Sequence, residues 1–209
     1  MIKRGFIINI PQRIDGVWQF SAWILWIIHR YHFPSILFVT LLGVLLSFFF
    51  CNWKFMFLMI TFIETLYLSI GVHETFHMAY GMFIGGKNFP KSISIIPYTL
   101  EVRTNFDPKR KLAPEDLYVI TFAGPVFSLL ISFISIIIIK LFNLPRWLYI
   151  YIIIFSLINI LSLLPFSDTD GKRVFGFIKQ NPHFLKNLLL SLPYFFVLSF
   201  KRFKEVRGI

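Results

Sequence analysis

The chain is short of everything a soluble domain keeps at its surface. Only 10 of 209 residues are acidic, against 21 Lys and Arg, and a single cysteine, Cys51, excludes an internal disulfide and a thiolate metal cluster. We read Cys51 as a small apolar filler. No low-complexity linker or internal repeat divides the chain. The longest gap between apolar runs, Gly85 to Asp116, falls short of the ~50 residues of the smallest domains. Hydrocarbon stands where polar surface is missing: 56% of the residues are hydrophobic and 27 are Phe, against about 45–50% apolar in soluble domains. The chain therefore reads as a membrane protein. A net charge of +11 would suggest nucleic acid in a soluble chain. Here the basic residues lie between and beyond the apolar runs, where they set topology and meet the lipid bilayer, and no nucleic-acid partner is expected.

Apolar segments long enough to span are expected at Pro34 to Phe50, Phe55 to Ile84, Leu117 to Ile139 and Trp147 to Leu164, with a weaker one at Phe184 to Phe200 that carries Pro193. The fold class is an all-α polytopic membrane protein of about 4–6 transmembrane helices. Residues 1–32 are expected as an N-terminal interfacial segment, Trp-rich and without a cleavage site. Residues 33–175 would form the membrane-embedded core, and 176–209 a C-terminal hydrophobic segment with a basic tail. The Gly85 to Asp116 connection holds Lys87, Lys91, Arg103, Lys109, Arg110 and Lys111, whereas the first loop holds only Lys54. The excess of positive charge places the long loop in the cytoplasm.

Inside the second apolar run stands His73-Glu74-Thr75-Phe76-His77. In HExxH the two histidines lie one turn apart on one helix face, so both imidazoles can bind one Zn²⁺. Glu74, about 100° round the helix, can hold a water as general base. Two histidines and a carboxylate in an apolar helix cost several kcal/mol unless something compensates, which favours a functional reading over a chance match. The other ionisable groups carry less weight. His29, His32 and His183 read as interfacial side chains, and Glu64 lies about 180° round the helix from His73, facing away and suited to bonding a neighbouring helix.

With the long loop inside, the second and fourth spans run the same way and bring His73 and His77 to the depth of Asp168 and Asp170, either of which can reach a metal. Gly171 gives the backbone at Asp170 freedom to turn inward. Ala123-Gly124-Pro125 lies beside them on the third span and lets backbones approach closely. After the zinc helix, Ser92 to Arg103 alternates polar and apolar residues around Pro97. This is the pattern of a β-hairpin or edge strand, able to hold an extended peptide by strand addition, with Thr99 and Leu100 as substrate-binding positions.

Three motifs in order, HExxH at His73 to His77, the small-residue Gly124-Pro125, and Leu164-Pro165 followed by Asp170-Gly171, resemble the site-2 protease family of intramembrane zinc metalloproteases. The resemblance covers about Leu58 to Phe175. It implies a three-helix catalytic core, a membrane-associated sheet after the first core helix, Asp170 as third zinc ligand and Glu74 as base. The family's Asn three positions before its Pro is replaced by Ser162, with Asn159 one turn earlier as a substitute amide. Both are therefore expected near substrate. A second family Asn, three positions after Gly124-Pro125, is Ser128 here. The resemblance implies a zinc-dependent metalloendopeptidase that cuts a single-span membrane protein or membrane peptide; with no recognisable PDZ module in so small a chain, control by a regulatory membrane protein or by prior trimming of the substrate is expected. A bacterial cell membrane with the site toward the cytoplasm is the expected setting. A non-proteolytic carrier of metal or protons is the alternative from another class.

Overall fold

The computed structural model describes residues 5–14, 16–86, 89–96, 102–107, 109, 112–166, 169–180 and 191–207. It is mostly helical with one small sheet. Three helices are long and apolar enough to cross a membrane: α1 (Val17–Phe49), α2 (Lys54–Gly85) and α3 (Pro114–Leu141). α4 (Leu148–Leu163) is apolar but has 16 residues, about 24 Å at 1.5 Å per residue. Two more helices follow, the short α5 (Asp170–Lys179) and α6 (Ser191–Arg207).

Three features depart from expectation. Helix α1 runs through Pro34 without a break, so residues 17–32 are its first half rather than a separate interfacial segment. Hydrocarbon makes an unwound backbone so costly that a helix carries the one N–H that proline removes. Residues 184–190 of the weak fifth span lie outside the described residues, and the rest of it, Pro193 included, lies in α6. The hairpin gains a third strand: β1 (Phe6–Asn9) pairs antiparallel with β2 (Pro90–Ile95), which pairs antiparallel with β3 (Val102–Phe106). Finally, His29 and His32 are helical and belong to the α1–α2 packing, whereas His183 lies outside the described residues.

α1 and α2 form a tight antiparallel pair joined by a turn in which Cys51 has φ 48°. Isoleucines 24, 27, 28, 63 and 70 bury against one another with Tyr67 and Met78, and the sheet residues Ile93, Ile95 and Val102 extend the same core. A polar link crosses it. His29 Nε2 lies 2.7 Å from Glu64 Oε2, and His29 Nδ1 lies 2.7 Å from the Leu25 carbonyl, so Glu64 bonds a neighbouring helix and not the HExxH group. His32 is 1% exposed, packs on the Tyr67 ring at 4.9 Å, and has no hydrogen-bond partner among the described residues. A second core joins α3, α5 and α6 through Tyr118, Phe122, Val174, Ile178 and Phe195.

At the end of α2, Gly86 takes φ 83°, a conformation that favours glycine, and turns the chain into the sheet. Asp107 ties the base of the hairpin. Its N–H donates to the Phe89 carbonyl at 2.9 Å, and its carboxylate accepts from Lys109 N–H at 3.0 Å and lies 3.1 Å from Lys91 Nζ. These partners, the Lys109 amide foremost, hold its carboxyl below the usual range.

Close helix contact predicts the effect of bulk. A Cβ on Gly43 would stand 3.0 Å from the Met56 Cα, whereas one on Gly176 would meet nothing within 4 Å. Gly43→Val should lower the thermal midpoint of detergent-solubilised protein by several degrees, as overpacking costs about 1–3 kcal/mol. Gly176→Ala should leave the midpoint unchanged or raise it.

Candidate metal centre

His73, Glu74 and His77 lie on one buried stretch of α2, about 12–18 Å from its Gly85 end at 1.5 Å per residue. The two Nε2 atoms are 2.9 Å apart. Asp170, the first residue of α5, brings its Oδ2 to 2.8 Å from His73 Nε2 and 3.1 Å from His77 Nε2. These are the only three such groups, among the described residues, close enough together to hold one ion.

The outer nitrogens of the histidines settle what the inner ones present. His77 Nδ1 lies 2.7 Å from the Ile120 carbonyl, which can only accept. His73 Nδ1 lies 2.9 Å from Asn159 Oδ1, and the Asn159 amide nitrogen is engaged elsewhere, donating to Ser69 Oγ at 2.9 Å and to the Phe155 carbonyl at 2.8 Å. Both Nδ1 atoms must therefore carry the proton, so in the neutral rings both Nε2 atoms present lone pairs. Two nitrogen lone pairs and a carboxylate oxygen then face one another in a buried site, an arrangement that repels itself unless a cation sits among them. Tetrahedral ligands about 2.0–2.1 Å from Zn²⁺ stand roughly 3.3 Å apart, within half an ångström of the separations seen here. The residues fit a metal of that kind.

Each supporting element has a local cause. On α3, Gly124 makes room for the imidazoles, since a Cβ there would lie 2.5 Å from His77 Nε2 and 3.0 Å from His73 Cδ2. Pro125 follows inside the same helix and offers no N–H to the carbonyl four residues back. On α5, Thr169 caps the helix by accepting from Lys172 N–H at 3.3 Å, and its hydroxyl donates to the Leu164 carbonyl at 2.6 Å. Gly171 lets that helix start directly on the end of α4, where a Cβ would lie 2.0 Å from the Leu163 carbonyl oxygen. Asp170 is thereby aimed at α2, with Arg173 Nη1 3.9 Å from its other oxygen, Oδ1.

Glu74 is held from the sheet. Its Oε2 accepts from the Thr104 N–H at 2.7 Å and from Thr104 Oγ1 at 2.8 Å. A cavity of about 30 Å³ lies between Glu74, His77, Thr104, Thr121 and Asp170, lined also by Arg103 and Arg173, with room for one or two waters. A larger cavity of about 440 Å³ shares Phe106, Ile120, Thr121 and Arg173 with it and runs along α3 and α5 past Leu117, Tyr118 and Phe177.

The structure thus brings His73, Glu74, His77, Asp170 and Asn159 together. Asn159 is not placed for the substrate role expected of it, because its whole amide is engaged within the protein and one end of it orients a histidine. Ser162 donates to the Asn159 carbonyl at 2.8 Å within its own helix. Ser128 is fully buried, and its hydroxyl has no partner among the described residues. Asp168, Thr99 and Leu100 lie outside the described residues. Sequence reasoning missed Thr104, the Ile120 carbonyl and Ser69. Ser69 was discoverable, standing one turn before His73 on the same face. No protein-family model, curated protein or solved structure matches the chain.

Replacing His73, His77 or Asp170 by Ala should each strip zinc from purified protein, measured by elemental analysis. Gly124→Ala should do the same without removing a ligand. Asn159→Ala should weaken zinc affinity roughly 10–100-fold in chelator competition, the usual effect of losing a group that orients a ligand, whereas Ser162→Ala should not change it.

Proposed function

We propose that the protein is a membrane-embedded zinc metalloendopeptidase of the site-2 protease type, cutting a peptide bond in or near the membrane segment of a single-span protein or membrane peptide. The observation that carries this is the convergence of two imidazoles, their Nδ1 protons turned outward, with the Asp170 carboxylate, beside the separate carboxylate of Glu74. The order of HExxH, Gly124-Pro125 and Leu164-Pro165 with Asp170-Gly171 supports the family resemblance. In this reading α4 crosses the membrane as a fourth span, and α2, α3 and α4 form the catalytic core. The basic connection around the sheet lies in the cytoplasm of a bacterial cell.

His73, His77 and Asp170 would hold the ion. When bound, zinc supplies a Lewis acid that polarises a carbonyl and brings the pKa of a bound water toward about 7. Glu74 then takes a proton from the attacking water and returns it to the nitrogen of the leaving amine. Asn159 and the Ile120 carbonyl keep the imidazoles in the tautomer that binds metal. Substrate must present an extended backbone, because helical carbonyls are already bonded, and the shared cavities along α3 and α5 offer space for it beside β3.

Glu74→Gln is nearly isosteric and removes the base without removing a ligand. Zinc should be retained while cleavage of a single-span reporter falls at least about a hundredfold, within the usual contribution of general acid–base catalysis. Undiminished turnover would exclude this role for Glu74. Changed metal or proton flux in vesicles without any cleavage would favour a carrier.

A further inference from the structure

Glu74 and the sheet meet at one residue. Thr104 is 9% exposed and Glu74 5%, and both Thr104 donors, the backbone N–H at 2.7 Å and the hydroxyl at 2.8 Å, converge on the same oxygen, Oε2. β3 is an outer strand, with β2 on its other side. The Thr104 N–H is therefore on the face of β3 turned away from the ladder, and it reaches α2 instead. A glutamate side chain has three rotatable bonds, and a bond to one of its oxygens from a rigid strand fixes the plane of the carboxylate and hence the direction of the other oxygen. The cavity also holds competitors: Arg103 and Arg173 line it together with Glu74, and a guanidinium attracts an unrestrained carboxylate. A threonine suits this task because its hydroxyl and its own N–H can grip one acceptor, and its branched Cβ suits a strand.

We infer that Thr104 is a positioning residue for Glu74: it clamps Oε2 so that Oε1 is the oxygen presented to the reacting water, and it makes the placement of β3 a condition of turnover. The inference rests on the proposed peptidase reading. A strand that shifts by one residue, or a hairpin pulled away from α2, would leave zinc in place and the base misdirected.

The test uses the full-length protein in detergent. Thr104→Val keeps the branched shape and loses the hydroxyl, whereas Thr104→Ser keeps both donors. With a single-span reporter, Thr104→Val should lower kcat roughly tenfold or more at unchanged KM and zinc content, and Thr104→Ser should stay within about threefold of wild type, as expected for one lost bond to a charged group. A second readout needs no turnover. In protein labelled with ¹³C at the side-chain carboxyl of its five glutamates, the resonance assigned through Glu74→Gln should shift in Thr104→Val and return in Thr104→Ser. An unmoved resonance, wild-type kcat in Thr104→Val, or a loss of zinc or raised KM that Ser does not rescue would overturn the inference while wild-type cleavage keeps the peptidase reading. A wild-type protein that binds zinc and cleaves nothing, with the resonance still shifting, would overturn the peptidase reading and reduce Thr104 to a structural contact.

Discussion

Two protons turned outward organise this molecule. Because His73 donates to Asn159 and His77 to the Ile120 carbonyl, the inner nitrogens of the neutral rings offer lone pairs, and Asp170 adds a third acceptor. Few arrangements are less tolerable in a buried site without a cation. The surrounding fold serves that constraint: α4 carries the amide that orients one imidazole, α3 the carbonyl and the glycine that admit the other, and α5 the carboxylate. Close packing between helices in lipid has no hydrophobic driving force of its own, so small residues and polar bonds must supply it. Here several of the polar bonds that hold the helices together also prepare the site.

The parts legible in the sequence were those with a short period or a fixed spacing. HExxH needs only the geometry of a single turn, and the apolar runs announce α2 and α3 by length. The reach of Asp170 was readable because Pro165 ends one helix and Gly171 permits the next to begin against it. What escaped depended on pairing across the chain. Asn159 entered as a substitute for the amide of the resembled family, but only the facing positions of Ser69 and His73 show how its amide is engaged. Thr104 lay one residue beyond the alternating stretch Ser92 to Arg103, and nothing local says that its N–H faces a helix rather than a neighbouring strand. β1 was hidden by distance: a strand of four residues pairs with a partner some eighty positions away, and its own run is too short to be distinguished by periodicity. Pro34 misled for the opposite reason, since the rule that proline ends helices is a rule for water, where a broken backbone finds other partners.

Elsewhere in the pair α1–α2, His29 and Glu64 satisfy one another across the helix interface, away from the HExxH group. Their separation from His73 follows from helical phase, since residues nine apart on α2 face opposite ways. One helix can thus carry a polar link on one side and the HExxH histidines on the other without either disturbing its apolar exterior.

The tightness of Gly124 against the imidazoles has a kinetic meaning. With α3 in contact with both rings, and with Asn159 and Ile120 fixing their orientation, neither histidine can swing aside to release an ion. Asp170 is the one donor carried on a short helix outside the long α1–α3 bundle, anchored by the Thr169 cap and by the seat of Gly171 on Leu163. Exchange of an ion held there would therefore be gated by α5. Its rate should follow the lifting of that ten-residue helix rather than the breathing of the bundle, so an ion once captured would be lost slowly even where its equilibrium affinity is modest.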